Sequence, residues 1–158
     1  MNAEKTTAGY LVIAIAIVMS ACGEAPRKVE AVKVDPTSEA GYAEAVAELA
    51  AVVKDAKGLI AAGRGDEAGA AIIRGQPLSA RVLAAPHPTL AAMEAASELD
   101  ELYGRMLLGN KNYGWARMVF QKDRSRWVHW QPQSAETERR KKAAEAGMAE
   151  CDRGMGGG

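Results

Sequence analysis

The chain predicts a mainly α-helical protein, a small helical bundle or a set of helical hairpins, behind an N-terminal signal and tether. Three observations carry this. Apolar residues recur at steps of three and four over 42–60 and again over 90–106, which places them on one helical face. Residues that start and stop helices bracket both stretches. The 158 residues are rich in Ala and Gly with a single Phe, so Leu, Val, Ile, Met and three Trp must supply the core.

The first helix is expected from Pro36 to Ala62. Asp35 is placed to cap it, and Pro36 sits where a missing N–H is harmless. Its seam is Tyr42, Val46, Leu49, Val53, Ala56 and Ile60, at heptad spacing, and Gly63 supplies the stop. Asp66 then caps a short helix to about Arg74 that buries Ile72 and Ile73. The triplet Arg64-Gly65-Asp66 reads as a turn and cap, not as an adhesion motif. Residues 77–88, "PLSARVLAAPHP", give another short turn of helix ended by Pro86 and Pro88. A second long helix starts at Pro88 or Thr89, carries the stripe Leu90, Met93, Ala96, Leu99, Leu102 or Tyr103 and Met106, and ends at Gly109–Asn110.

Residues 103–130 hold six of the eight aromatic residues, interleaved with Arg105, Lys111, Arg117, Lys122, Arg124 and Arg126. Two structures compete here. As a helix, Tyr113, Ala116, Phe120, Trp127 and Trp130 share a face that Asp123 interrupts. As a short β-hairpin over 115–130, 115–121 pairs with 126–131 across 122–125. The expectation is a helix to Lys122 followed by a less regular aromatic strand or turn ending at Pro132. A last helix over 134–150, capped by Ser134, is charged on nearly every face and is expected to be solvated or frayed. Its Arg139–Lys142 run could lie on anionic lipid, and the closing "GMGGG" should be disordered. The organisation is thus a signal (1–21), a tether (22–35), a helical domain (36–132) and a charged helix with a tail (133–158).

The net charge of zero hides an asymmetry. Residues 24–102 carry eight basic and thirteen acidic side chains, and residues 103–142 carry ten basic and three acidic. Either the two halves pack against each other, or the basic half faces a polyanion or a membrane.

The N-terminus carries the most specific signal. Residues 10–21 are apolar over roughly a dozen positions, where a spanning helix needs about 20. They follow a polar start with Lys5 and precede small residues, the pattern of a secretory signal; a permanent single-span anchor is the competing reading. Met19-Ser20-Ala21-Cys22 resembles the lipobox of bacterial lipoproteins: an aliphatic residue, two small ones, then cysteine. The resemblance implies a diacylglyceryl group on the Cys22 thiol, cleavage after Ala21 and acylation of the new terminus, which together give stable anchoring. Gly23 follows the cysteine where an Asp would signal retention in the inner membrane. The resemblance therefore implies an outer-membrane anchor with the domain facing the periplasm. Lipidation of Cys22 leaves Cys151 as a free thiol or an intermolecular disulfide; a Cys22–Cys151 bridge is the alternative.

Gly104, Ala116 and Phe120 stand at the spacing of the small, small and aromatic positions of a tetratricopeptide helix pair, which about 25 residues here resemble. Asp123 stands where the next alanine is expected, no second copy follows at a 34-residue step, and an antiparallel helical hairpin accounts for the same spacing.

No catalytic constellation is found. His87 and His129 lack a companion at ligand spacing, so no metal site is expected. Ser125 near His129 has no acid placed by spacing, there is no nucleophile elbow, and Asp100–Glu101 reads as surface. No cofactor is implied. The function expected is that of a lipid-anchored cell-envelope protein with a structural or protein-interaction role. Its partners are membrane lipid through Cys22 and an envelope protein or glycan, with no nucleic acid. The alternative is a binding module in which Trp115, Trp127, His129 and Trp130, with Arg117, Arg124 and Arg126, grip a glycan, peptidoglycan or anionic polymer. Against it, the same rings could be the core of an alanine-rich domain.

Overall fold

The computed structural model describes residues 35–156. The expected signal, Cys22 and all but the last residue of the tether lie outside the described residues. After a 3-10 turn at Pro36–Ser38 come five helices: α1 (Ala40–Ala61), α2 (Gly65–Leu83), α3 (Leu90–Gly109), α4 (Tyr113–His129) and α5 (Ala135–Gly156). Among the described residues there is no strand, and no helix is long and apolar enough to cross a membrane.

Each helix packs on the next, and α3 also touches α1 and α5. α3 is therefore the shared wall of two cores. On one side Leu49, Val53 and Ala56 of α1 meet Ala71, Ile72 and Val82 of α2 against Ala92, Ala96 and Leu99 of α3. On the other, Phe120 and Ala116 of α4 meet Cys151 of α5, with Leu107 and Leu108 of α3 beside them.

The first core follows the expected seams. Ile60 and Leu90 are the departures, being 48% and 45% exposed, while Leu59 packs against the core. Asp35 caps as anticipated, accepting from Thr37 N at 2.9 Å, but it caps the 3-10 turn, and α1 begins only at Ala40. Gly63 stops α1 at φ +72°, a conformation open to glycine at little steric cost. α2 corrects three expectations. Asp66 lies inside its first turn and does not cap it, Ile73 is 60% exposed, and the helix runs unbroken through Pro77 to Leu83. Pro77 and Ile73 are both exposed. The carbonyl that Pro77 leaves without a donor can there be served by water, which removes much of the usual cost of an interior proline.

The second core departs further from expectation. α4 is helical to His129, so neither the strand nor the hairpin over 115–130 forms. Trp127 follows Phe120 by seven residues and lands on the same inward face. α5 is not frayed. It lies antiparallel along α4 and buries Thr137, Ala144, Gly147 and Cys151, so the helical domain does not end at residue 132. Ser134 caps it as expected, accepting from Thr137 N at 3.1 Å. The helix extends into the expected disordered tail as far as Gly156.

Glycine makes this close packing possible. The Phe120 ring lies between α3 and α5, and a Cβ at either Gly104 or Gly147 would sit 2.7 Å from it. At the far end a Cβ at Gly154 would sit 2.5 Å from the Tyr113 ring. Large ring and absent side chain thus form one packing unit.

Candidate functional site

The loop 84–89 between α2 and α3 approaches the C-terminal end of α4, and an open cleft of about 840 Å³ lies between them. Leu83, Pro86, Pro88 and Met93 form its apolar wall, and Trp130 adds a ring. His87, Lys122, Ser125, Arg126, His129 and Gln131 supply the polar lining, which contains no Asp or Glu.

The walls are held in place. Two prolines flank His87 and restrict its backbone. Gln133 Nε2 donates to the carbonyls of Trp127 (2.9 Å) and Trp130 (2.6 Å), tying down the end of α4. Trp130 meets Trp127 edge-on with centroids 6.5 Å apart. His129 Nδ1 lies 2.8 Å from the Ser125 carbonyl. A carbonyl can only accept, so Nδ1 carries the proton and Nε2 is the free ring nitrogen.

Behind the cleft is a buried ionic cluster. Asp100 is fully buried and accepts from Lys122 Nζ and Arg126 at 2.8 Å each. Arg126 also donates to Asp123 at 2.8 Å. Asp100 was expected at the surface; its partners lie on α4, brought to it by folding. Burial pushes the Asp123 carboxyl up to about 6; the attraction of Arg126 opposes this and the neighbouring Asp100 adds to it. Trp127 lies beside this cluster, fully buried, with its Nε1 donating to Ser97 Oγ at 2.8 Å and the Arg140 guanidinium 5.6 Å from its ring centre.

The residues expected to act together therefore separate. Arg126, His129 and Trp130 meet at the cleft. Trp127 faces the interior and presents no ring to a ligand. Trp115 is 66% exposed at the other end of α4, 14 positions and about 21 Å from His129. Arg117 pairs with Asp152 at 2.6 Å and Arg124 with Glu145 at 2.8 Å, both on α5. Basic α4 is thus clasped by acids of α3 and α5, which accounts for part of the charge asymmetry. Cys22 lies outside the described residues. Cys151 is buried, and that burial, with Asp152 and Glu150 nearby, pushes its thiol up. The folded domain therefore does not offer Cys151 for an intermolecular bridge.

Sequence reasoning missed His87, Lys122 and Ser125 as parts of one site. The signal available was the histidine between two prolines, a rigid presentation of an ionisable ring. Comparison with protein-family models, curated proteins and solved structures finds no match.

Proposed function

We propose that this chain is a lipid-anchored cell-envelope protein whose helical domain works by binding, through the cleft between loop 84–89 and the end of α4. The single observation that supports the binding half is the convergence of His87, His129, Lys122 and Trp130 on one open cleft backed by apolar side chains. The anchor half is supported by the Met19-Ser20-Ala21-Cys22 pattern after an apolar run. In this reading acylated Cys22 holds the membrane, the residues up to 35 act as a spacer, and the helices present the cleft.

Intact mass of the membrane fraction tests the anchor: a mature species starting at acylated Cys22 is expected, and a species starting at Met1 sinks it. A second reading, docking of an envelope protein on the outer face of α4, is favoured by Trp115 and Met118, which are three residues apart and 66% and 60% exposed. Photo-crosslinkers placed at positions 129 and 118 in cells separate the two. Adducts from 129 support the cleft, and adducts from 118 alone support the helix face.

A further inference from the structure

We infer that the cleft is a site for a compact organic oxyanion, a carboxylate, sulfonate or phosphate carried on a flat apolar body. This rests on the cleft being the binding surface, as proposed above, and adds the class of ligand.

Hydrogen-bonding polarity makes the first argument. Lys122, Arg126 and Trp130 carry side-chain donors and no side-chain acceptor, and the lining holds no carboxylate. Sugar hydroxyls call for acceptors as well as donors, and besides the imidazoles only Ser125 and Gln131 supply side-chain acceptors here. An oxyanion consists of acceptors and calls for donors alone. Lys122 has donors to spare, since one N–H meets Asp100 and the side chain is 55% exposed. His129 offers a lone pair at Nε2 when neutral and an N–H there when charged. An anion beside it favours the charged form, the proton coming from solvent. His87 adds the second imidazole. Asp100 and Asp123 lie behind Lys122 and Arg126 and offset their charge, so the imidazoles decide the discrimination.

The apolar wall makes the second argument. Leu83, Pro86, Pro88 and Met93 line the cleft together with its polar groups, and small-ligand sites of roughly 300–1,000 Å³ commonly combine an apolar lining with a few polar groups. A bare inorganic anion leaves that wall wet.

The test uses the full chain in phosphatidylcholine nanodiscs, with imidazole ring resonances of His87 and His129 read by NMR. Naphthalene-2-sulfonate is compared with neutral naphthalene-2-sulfonamide, inorganic phosphate and chitotetraose. The sulfonate should shift both rings saturably, move the His129 Nε2 nitrogen toward its protonated position, and bind about tenfold or more tighter than the sulfonamide, the scale of one hydrogen bond to a charged group. His87→Gln with His129→Gln, checked for an unchanged melt, should remove that preference as read by Trp fluorescence, and Trp115→Ala should leave it intact. Equal binding of sulfonamide and sulfonate, or phosphate binding as tightly as the sulfonate, overturns the inference. If chitotetraose alone moves the rings, the anion is wrong and the cleft stands. If none of the four moves them, the cleft reading falls too.

Discussion

The two sides of α3 are built by different means. Toward α1 and α2 it buries Ala92, Ala96 and Leu99 against Leu49, Val53, Ile72 and Val82, an aliphatic core of ordinary side chains at helical spacing. Toward α4 and α5 the large buried groups are Phe120, seated between Gly104 and Gly147, and Trp127, beside the cluster of Asp100, Asp123 and Arg126. The first side gains stability from apolar area, and no single group dominates it. The second concentrates its energy in a few groups that tolerate little change. Glu98 joins the sides, pairing with Lys57 of α1 at 2.6 Å and Arg140 of α5 at 3.2 Å.

The largest contrast should come from the buried cation. Arg126→Ala leaves Asp123 without its cation and Asp100 with Lys122 alone, and breaking a buried pair in this way costs about 3–5 kcal/mol. Urea denaturation should show a loss of that size, and a loss below 1 kcal/mol would falsify the concentrated character of the second core. Trp127→Ala should cost a similar amount, about 3–5 kcal/mol, while Trp115→Ala stays within about 0.5 kcal/mol.

Next come the glycines. Gly104→Ala and Gly147→Ala each push a methyl into the Phe120 ring, with an expected cost of about 1–3 kcal/mol. Gly58 has open space around its missing Cβ and lies within α1. Gly58→Ala should instead stabilise, by about 0.5–1 kcal/mol. The first core has one close glycine of its own, Gly75 of α2, whose Cβ would sit 2.8 Å from Leu99 Cδ1. Melts of Gly75→Ala beside Gly104→Ala and Gly147→Ala show whether an aliphatic side chain yields where the Phe120 ring does not.

The pH dependence has two opposing parts. Asp123 is raised in the fold, so the folded state holds its proton more tightly than the unfolded chain. Its ionisation therefore costs stability as pH rises through about 6, by roughly 3 kcal/mol if the whole shift is realised. Asp123→Asn, which mimics the protonated form, should be more stable than the parent at pH 8, and the gap should close as pH falls below about 4. Glu98 runs the other way. Burial pulls its carboxyl upward, but the bonds from Lys57 and Arg140 outweigh this and leave it below its ordinary value. Its contribution is present at neutral pH and fades as pH falls into the carboxylate range. Glu98→Gln should therefore flatten the acid limb of the stability profile, a smaller effect than that of Asp123→Asn.

Legibility in the sequence followed the same divide. The seams of α1 and α3 could be read because Leu, Val and Met mark a face by hydropathy. α5 could not, because its inward residues are Thr137, Ala144, Gly147 and Cys151, small groups whose meaning is set by the ring they receive from α4. The run of α2 through Pro77 was hidden because the rule against interior proline presumes a carbonyl with no water. Asp100 read as surface because its partners, Lys122 and Arg126, are 22 and 26 residues away. The cleft escaped for a related reason: His87 lies in the loop between α2 and α3 and His129 ends α4, and only folding brings both to the lining of one cleft.

The position of α3 also orders how the domain comes apart. Opening α5 leaves α3 covered by α1 and α2, and opening α1 leaves it covered by α4. Amide protons of mid-α3, around Ala96 to Leu99, should therefore exchange with solvent only when the whole domain unfolds. Those of α1 and α5 have a cheaper route through partial opening. Hydrogen exchange should thus find the slowest protons in the middle of the chain, on the one helix to which both halves are fastened.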